Sequence, residues 1–303
     1  MIFAALRPLS PEELYFATYF HLHKNWTGEW KPDHPNLEQI KAWVRQTSKG
    51  LAEVITTEED SCVVQFIHES VRDFLSRGYT SSFLRTPEEI ESEVHELLKK
   101  LCYLQLQATN QQFLCDIEKE SLRIYGKRLS IYSRHGRDRI DRTLNIICKK
   151  DWQGLQNRIQ AKYPFLPYST NYIFHHSNRA QHYYSQKQFL QDFPISVWSQ
   201  FWNIITWDKY CRYPKPVNLA IIFTEMHLDN LIKVCSARRS CFEAYPYYGS
   251  PIAAAMFPYN DDKNLETIKV LLTLERHIIC QDADTRWQFL CAHHEQDKCP
   301  TWV

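Results

Sequence analysis

The stretch VQFIHESVRDFL, residues 64–75, joins two apolar runs of different period. Its first part belongs to CVVQFI (62–67), a short run rich in β-branched residues that is typical of a strand. Its second part repeats apolar side chains at i, i+4, i+7 and i+8, and this spacing predicts a helix from Ile67, Val71, Phe74 and Leu75. A strand is therefore expected to pass directly into a helix.

Three polar residues, His68, Glu69 and Ser70, occupy the junction between these two runs. A catalytic interpretation would need a third group and an oxyanion site, and the sequence contains no G-x-S-x-G motif. A structural interpretation needs neither, because glutamate is favourable near a helix N-terminus and histidine or serine can satisfy its free amide groups. The structural interpretation is favoured, and no catalytic residue is assigned.

Two helices and a second strand are predicted before this stretch. Ser10, Pro11 and Glu13 form a helix-start signature, and Asn36 with Gln39 forms another that leads to a stop at Gly50. LAEVI (51–55) and CVVQFI flank the acidic turn TTEEDS, which is a hairpin signal. Helix, helix, hairpin and helix in this order predict a winged-helix module over residues 1–85.

A helical connector is predicted over residues 86–162, beginning at a second capping signature, TPEE (86–89). HELL, starting at His95, resembles a zinc-protease helix, but Lys99 occupies the position of the second histidine. Between residues 123 and 142, seven basic residues outnumber two acidic ones. This segment is either a phosphate-contacting patch or a solvated helix face, and the second alternative is favoured.

Residues 163–212 are predicted to form a pair of aromatic-rich helices, in which His175 and His176 pack at a polar edge. Residues 213–279 then contain two units of similar plan, PVNLAIIFTEMHLDNLIKV (216–234) and SPIAAAMFPYNDDKNLETIKVLL (250–272). Pairing Asn218 with Ile252 and Leu228 with Leu265 gives a period near that of ankyrin repeats. GSPIAAA (249–255) is similar to the turn-and-helix motif of that repeat family.

The tail, residues 280–303, continues neither repeat and is expected to be degenerate. Cys291, His294 and Cys299 carry zinc-binding donors, but no C-x-x-C pair occurs, so the tail is not assigned a metal site. The net charge and the numbers of cysteines and glycines limit the classes of protein to which the chain can belong. A net charge of +1, ten scattered cysteines and seven glycines indicate a soluble, cytoplasmic, mainly α chain that is neither a polyelectrolyte binder nor a protein with glycine-rich cofactor loops.

Taken together, five blocks resemble the region after the NACHT nucleotide-binding domain in fungal STAND proteins, the NOD-like receptors with ankyrin repeats. The blocks are RPLSPEELYFA (7–17), SKGLAEV (48–54), VQFIHESVRDFL (64–75), YPFLPYSTNYIFHHSNRA (163–180) and YGSPIAAA (248–255). The resemblance implies a receptor-like signalling architecture with a winged-helix arm, a helical connector and the start of ankyrin repeats. The chain lacks G-x-x-x-x-G-K-[ST], so no nucleotide-binding residues are carried over, and no cofactor is expected.

The sequence thus predicts a non-enzymatic regulatory and protein-interaction fragment of such a receptor. Its expected partners are the upstream nucleotide-binding domain and a protein bound by the repeats, with no membrane contact. The residues expected at the two interaction surfaces are His68, Glu69 and Arg72 near the hairpin, and Ser250, Pro251 and Ala254 in the repeats. The alternative is a nucleic-acid-binding winged helix that uses Lys41, Arg45 and Lys49 of helix 36–49 together with the basic segment 123–142.

Overall fold

The fold was described from a computed structural model of the chain. The described residues are 1–22, 28–31, 34–58, 61–78, 86–109, 111–135, 142–206, 213, 217–235, 240–245, 249–256 and 261–280. They are mainly helical with one small antiparallel sheet, as the sequence predicted. The chain forms two compact units, one of Met1–Gln186 with Asp192–Val217 and one of Lys187–Gln191 with Asn218–Val303.

The first unit begins with a short 3-10 helix, Ile2–Ala4, followed by α1 (Pro11–Leu22) and α2 (Leu37–Thr47). Local capping sets both helix starts. The Ser10 hydroxyl accepts the Glu13 amide at 3.1 Å, and the Glu13 carboxylate accepts the Ser10 amide at 2.8 Å. Asn36 and Gln39 make the same reciprocal pair at the start of α2. Both predicted capping boxes are confirmed.

The hairpin consists of β1 (Ala52–Thr56) and β2 (Cys62–Phe66), paired antiparallel with Val54 opposite Val64. Gly50, at a positive φ of 80°, turns the chain from α2 into β1, which is a conformation that favours glycine. The other edge of β2 is also paired at one point, because the Val64 amide donates to the Leu9 carbonyl at 2.8 Å. The hairpin then leads into α3 (Glu69–Gly78).

The rest of the first unit is a helical body, in which α4 (Pro87–Ala108) and α7 (Leu166–Ala180) form the most extensive helix–helix interface. α5 (Gln111–His135) packs on α6 (Arg142–Lys162), and both α5 and α7 contact α9 (Ile195–Ile205). The core of this body is aromatic and aliphatic, with the largest buried side chains at Trp198, Tyr163, Tyr168, Phe165, Phe174, Leu98 and Leu101. α8 (Lys187–Asp192), which the sequence did not predict, lies between the two expected aromatic helices along the chain, and all of it except Asp192 belongs to the second unit.

The second unit contains two helix pairs, α10 (Leu219–Glu225) with α11 (Asp229–Val234) and α12 (Pro251–Ala255) with α13 (Asp261–Cys280). α10 contacts α12, and α11 contacts α13. Asn218 caps α10 and Ser250 caps α12 through side-chain oxygens, so Ser250, not Ile252, stands where Asn218 stands. The two helix starts therefore relate Asn218 to Ser250, and the predicted pairing of Asn218 with Ile252 is wrong.

None of the described helices has a stretch apolar and long enough to cross a bilayer.

Candidate interaction surface

Helix α3 points large apolar side chains away from the body of its unit. Ile67, just before the helix, is 50% exposed, and Phe74 is 65% exposed. Leu75, the next residue, instead lines a groove of about 300 Å³ together with Trp43 and Val44 of α2. The predicted helix is thus present, but its apolar stripe is split between an inner and an outer side.

A third apolar residue continues this outer surface. The Ile67 amide donates to the Leu51 carbonyl at 3.1 Å. This bond adds the pair Leu51–Ile67 to the open end of the hairpin, next to the pair Ala52–Phe66. Side chains that lie opposite each other in an antiparallel pair project to the same face, and Leu51 is 40% exposed. We refer to Leu51, Ile67 and Phe74 as the α3 patch.

Charged residues of the same helix are exposed as well, and two of them flank a second depression. Glu69 and Arg72 line a crevice of about 310 Å³ with the N-terminal segment, and they face each other at 3.7 Å. A helix of a monomeric soluble module usually buries its apolar side and exposes its charges. α3 follows this rule at Glu69 and Arg72, which are exposed, and departs from it at Phe74, so the α3 patch is the unusual feature of this surface.

His68 caps the start of α3. Its Nδ1 atom accepts the Ser70 backbone amide at 3.1 Å and lies 2.8 Å from the Ser70 hydroxyl. The lone pair that a general base would use to take the serine proton is therefore shared with a backbone N–H. Since both side chains are exposed at a helix start, the geometry supports capping rather than nucleophilic catalysis.

The predicted interaction residues of the second unit are more buried than a contact surface requires. Ser250 is half-buried and caps α12, while Pro251 and Ala254 are buried. Buried side chains cannot form a contact surface in this conformation, because they already pack inside the unit. Among the described side chains of this helix pair, the large apolar ones that are exposed are Met256, Leu265 and Leu272.

A buried polar chain between α4 and α7 was missed by the sequence analysis. His95 Nδ1 lies 2.8 Å from His176 Nδ1, and His176 Nε2 lies 2.9 Å from the Tyr168 hydroxyl. At one end of this row of polar groups, the Leu6 amide donates to the Tyr168 hydroxyl at 3.3 Å. At the other end, His95 Nε2 lies 3.5 Å from Glu91. His176, predicted at a polar edge, is fully buried, whereas His175 is half-buried.

Burial lowers the pKa of His95 and lowers the pKa of His176 further, since charging either ring would cost hydration. All four ring nitrogens have partners inside the unit, so none is left to ligate a metal or to contact a substrate. The same burial raises the pKa of the Tyr168 hydroxyl and keeps it protonated. The hydrogen bonds among His95, His176 and Tyr168 are therefore suited to holding α4 against α7.

Lys99 lies one turn after His95 on the same face of α4 and is also buried. Its ammonium donates to Glu96 at 2.7 Å and to Gln186 Oε1 at 2.7 Å, and Gln186 Nε2 donates back to Glu96 at 3.0 Å. Burial lowers the pKa of Lys99 against the opposing effect of Glu96. The i, i+4 spacing of His95 and Lys99 between core leucines was the sequence signal for this polar interface.

Two further predictions from the sequence concern the basic residues of the nucleic-acid alternative and the zinc-binding donors of the tail. On α2, Lys41 forms an ion pair with Glu38 at 2.8 Å, while Arg45 and Lys49 are exposed. Apart from Arg123, the basic side chains of segment 123–142 lie outside the part of the chain whose side chains are described, as do Cys291, His294 and Cys299. Within the described residues, no group of three or more metal-binding side chains occurs.

Comparison of the chain with protein-family models, curated proteins and solved structures gave no match.

Proposed function

We propose that the chain is a non-enzymatic protein-interaction and regulatory segment of a receptor like the fungal NACHT–ankyrin proteins that its sequence resembles. The observation that carries the proposal is the exposed α3 patch, together with the exposed charges Glu69 and Arg72 of α3. In this proposal the patch binds the nucleotide-binding domain that precedes such a segment in the parent architecture. α3 would then report the state of that domain to the helical body.

A winged-helix assignment for the N-terminal module has two supporting observations. The element order is helix, helix, hairpin and helix, and α2 leads directly into β1 through Gly50. The Leu9 carbonyl pairs with the free edge of β2, at the position that a third strand takes in a winged-helix sheet. In this module α3 is the element after the wing, which makes it a natural link to a neighbouring domain.

Glu69 and Arg72 supply the polar rim of the proposed contact. Both are exposed, and both belong to α3, the helix that carries Phe74 of the α3 patch. Interfaces usually combine an apolar centre with a polar rim, and the rim charges mainly determine orientation and partner choice. His68 contributes indirectly, because it holds the first turn of α3 in place.

An ankyrin-like assignment for the second unit rests on its two stacked helix pairs and on the caps Asn218 and Ser250. In this proposal the unit binds a second protein partner. The cytoplasmic location belongs to the same proposal. It is supported by the thiols of Cys62, Cys102 and Cys115, which form no disulfide, since a reducing compartment keeps thiols unpaired.

The test uses purified NACHT domains from fungal proteins in which the block SKGLAEV…VQFIHESVRDFL follows that domain. We expect at least one of them to bind the full chain in calorimetry, and we expect Ile67→Asp with Phe74→Asp to weaken that binding roughly 100-fold, because two apolar anchors are lost. Leu104→Asp with Leu122→Asp changes two exposed leucines elsewhere in the unit and serves as the matched control. The proposal fails if no domain binds, or if both double variants bind alike.

The nucleic-acid alternative has weaker support in the described residues. On α2, the ion pair of Lys41 with Glu38 leaves Arg45 and Lys49 as the exposed basic groups. Nucleic-acid binding would show a steep salt dependence from counterion release. Titration with duplex DNA in about 50 mM and about 200 mM salt distinguishes the two proposals, and binding that weakens about 10³-fold over this range would favour the alternative.

A further inference from the structure

A cleft of about 560 Å³ lies in the first unit, between the start of α1 and the end of α6. This volume falls within the range of about 300–1,000 Å³ that is typical of small-molecule sites. The described residues of its lining come from α1, from the loop before α2 and from α6, and include Ser10, Glu12, Trp30, Asn157 and Gln160. These residues are distinct from those of the α3 patch, so the cleft is a separate surface.

The aromatic wall of the cleft is held in place by contacts with both helices. The Trp30 amide donates to the Lys162 carbonyl of α6 at 2.7 Å, and Lys162 forms an ion pair with Glu29 at 2.9 Å. The Trp30 ring stacks on Phe16 of α1, with 5.3 Å between the ring centroids. The indole is therefore in position before a ligand arrives, which lowers the entropic cost of binding.

Hydrogen-bond donors from three segments converge on the cleft. Asn157 and Gln160 are three residues apart, and both are exposed on one face of α6. Asn157 Oδ1 accepts Gln153 at 3.1 Å, which leaves the Asn157 N–H₂ group available. The Ser10 hydroxyl accepts a backbone amide and keeps its own proton for a ligand. Within the described part of the chain, the Gln160 amide and the Trp30 indole N–H have no hydrogen-bond partner.

Glu12 supplies a strong acceptor and is the one charged side chain among the described residues of the lining. An anionic ligand would be repelled by this carboxylate and would find no cation among those residues. A cationic ligand carries donors only, so it would leave the hydroxyl, amide and indole donors unmatched. The ligand that matches these groups is uncharged and both donates and accepts hydrogen bonds.

We propose that the cleft binds a saccharide. Each hydroxyl group of a sugar ring donates and accepts, which suits a wall of amides, a hydroxyl and a carboxylate. The C–H groups of the same ring form an apolar side that packs against an indole, while the indole N–H contacts a hydroxyl. Asn157 and Gln160 hold the hydroxyl groups on the α6 side, and Glu12 accepts from the α1 side.

The inference goes beyond the proposed function and is tested on the full chain without any other protein. The methyl glycosides of glucose, galactose, mannose and N-acetylglucosamine are titrated by calorimetry, and we expect at least one to bind with a Kd of about 1–10 mM. We expect Asn157→Ala with Gln160→Ala to weaken this binding at least about 10-fold, because two hydrogen bonds are lost. Gln46→Ala with Gln111→Ala changes two exposed amides of α2 and α5 and should bind like the wild type.

The indole of Trp30 reports where the glycoside binds. With ¹⁵N-labelled tryptophan, each of the nine tryptophans contributes one indole N–H signal, and the signal lost in Trp30→Phe belongs to Trp30. We expect this signal to shift on addition of the glycoside, while the signal of the buried Trp198 stays in place. A glycoside that binds without shifting the Trp30 signal would place its site elsewhere and would overturn the inference.

Salt separates a sugar from a cation. Binding of a neutral glycoside should be the same in about 50 mM and about 500 mM salt, whereas attraction of a cation to Glu12 would weaken. If none of the four glycosides binds, or if the Asn157/Gln160 variant binds as well as the wild type, the inference is wrong. Salt-sensitive binding of a lysine-rich peptide in place of the glycosides would assign the cleft to a cationic ligand and would equally overturn it.

Discussion

The two buried histidines have one arrangement of protons that satisfies the described hydrogen-bond partners. The Leu6 amide must donate to the Tyr168 oxygen, so the Tyr168 hydroxyl can donate to His176 Nε2. His176 then carries its proton on Nδ1 and donates it to His95 Nδ1. His95 carries its own proton on Nε2, facing the Glu91 carboxylate. Each ring is neutral and acts once as a donor and once as an acceptor.

This arrangement predicts how stability depends on pH. The pKa values of His95 and His176 are lowered from 6.5 in the folded chain, mainly by burial, so the unfolded chain binds more protons below about pH 6.5. The stabilisation is fully present above that pH and is lost as the pH falls toward the lowered folded values. We expect the free energy of unfolding, measured with urea, to decrease from pH 7 to pH 5.

A pair of variants separates this effect from other titrations. His176→Phe removes the most deeply buried ring, and we expect it to lower stability at pH 7 and to flatten the decrease between pH 7 and pH 5. His21→Gln removes an exposed histidine of α1 and should leave the slope unchanged. Equal slopes for wild type and His176→Phe would mean that the histidine pair does not carry the pH dependence. The nearby charges of Glu91 and Arg179 are the same in all three proteins.

At the scale of elements, the sequence was most informative where structure is set locally. Ser10, Asn36 and Thr86 each cap a helix through contacts within three residues, and all three helix starts were predictable. α8 has no side-chain cap at Gln186 and is only 6 residues long, which is less than two turns, so no local signal marked it. Periodicity identified α3 but could not show which of its sides faces the body, because that depends on packing with distant residues.

Adjacent residues on α3 provide a test of its orientation. Leu75 lines the groove beside α2, whereas Phe74 is the most exposed residue of the α3 patch. We expect Leu75→Ala to lower the free energy of unfolding by about 1–2 kcal/mol, because apolar contact is lost. Phe74→Ala should change it by less than about 0.5 kcal/mol. Equal losses for both variants in chemical denaturation would show that Phe74 is also packed inside the unit.

For the whole molecule, the sequence located the repeated helix pairs but not the groups that hold them. The buried Glu275 carboxylate accepts the Ser240 hydroxyl at 2.7 Å and the Cys241 amide at 2.9 Å, which ties the segment before α12 to α13. Ser240 and Glu275 are far apart in sequence, and only the folded chain shows their pairing. The same holds for His95 with His176. The pattern of apolar residues predicts helices, but it does not predict which buried polar side chains pair across them.

Glu275 also allows a test of whether the two compact units open independently. Glu275→Gln keeps one acceptor oxygen but places an amide N–H₂ opposite one of the two donors, which should cost about 1–3 kcal/mol. We expect hydrogen exchange, followed by mass spectrometry, to speed up in α10–α13 while α4 and α7 keep their wild-type protection. Leu101→Ala, which removes a buried side chain of α4, should give the reverse pattern. Faster exchange in both units with either variant would mean that the chain opens as one cooperative structure.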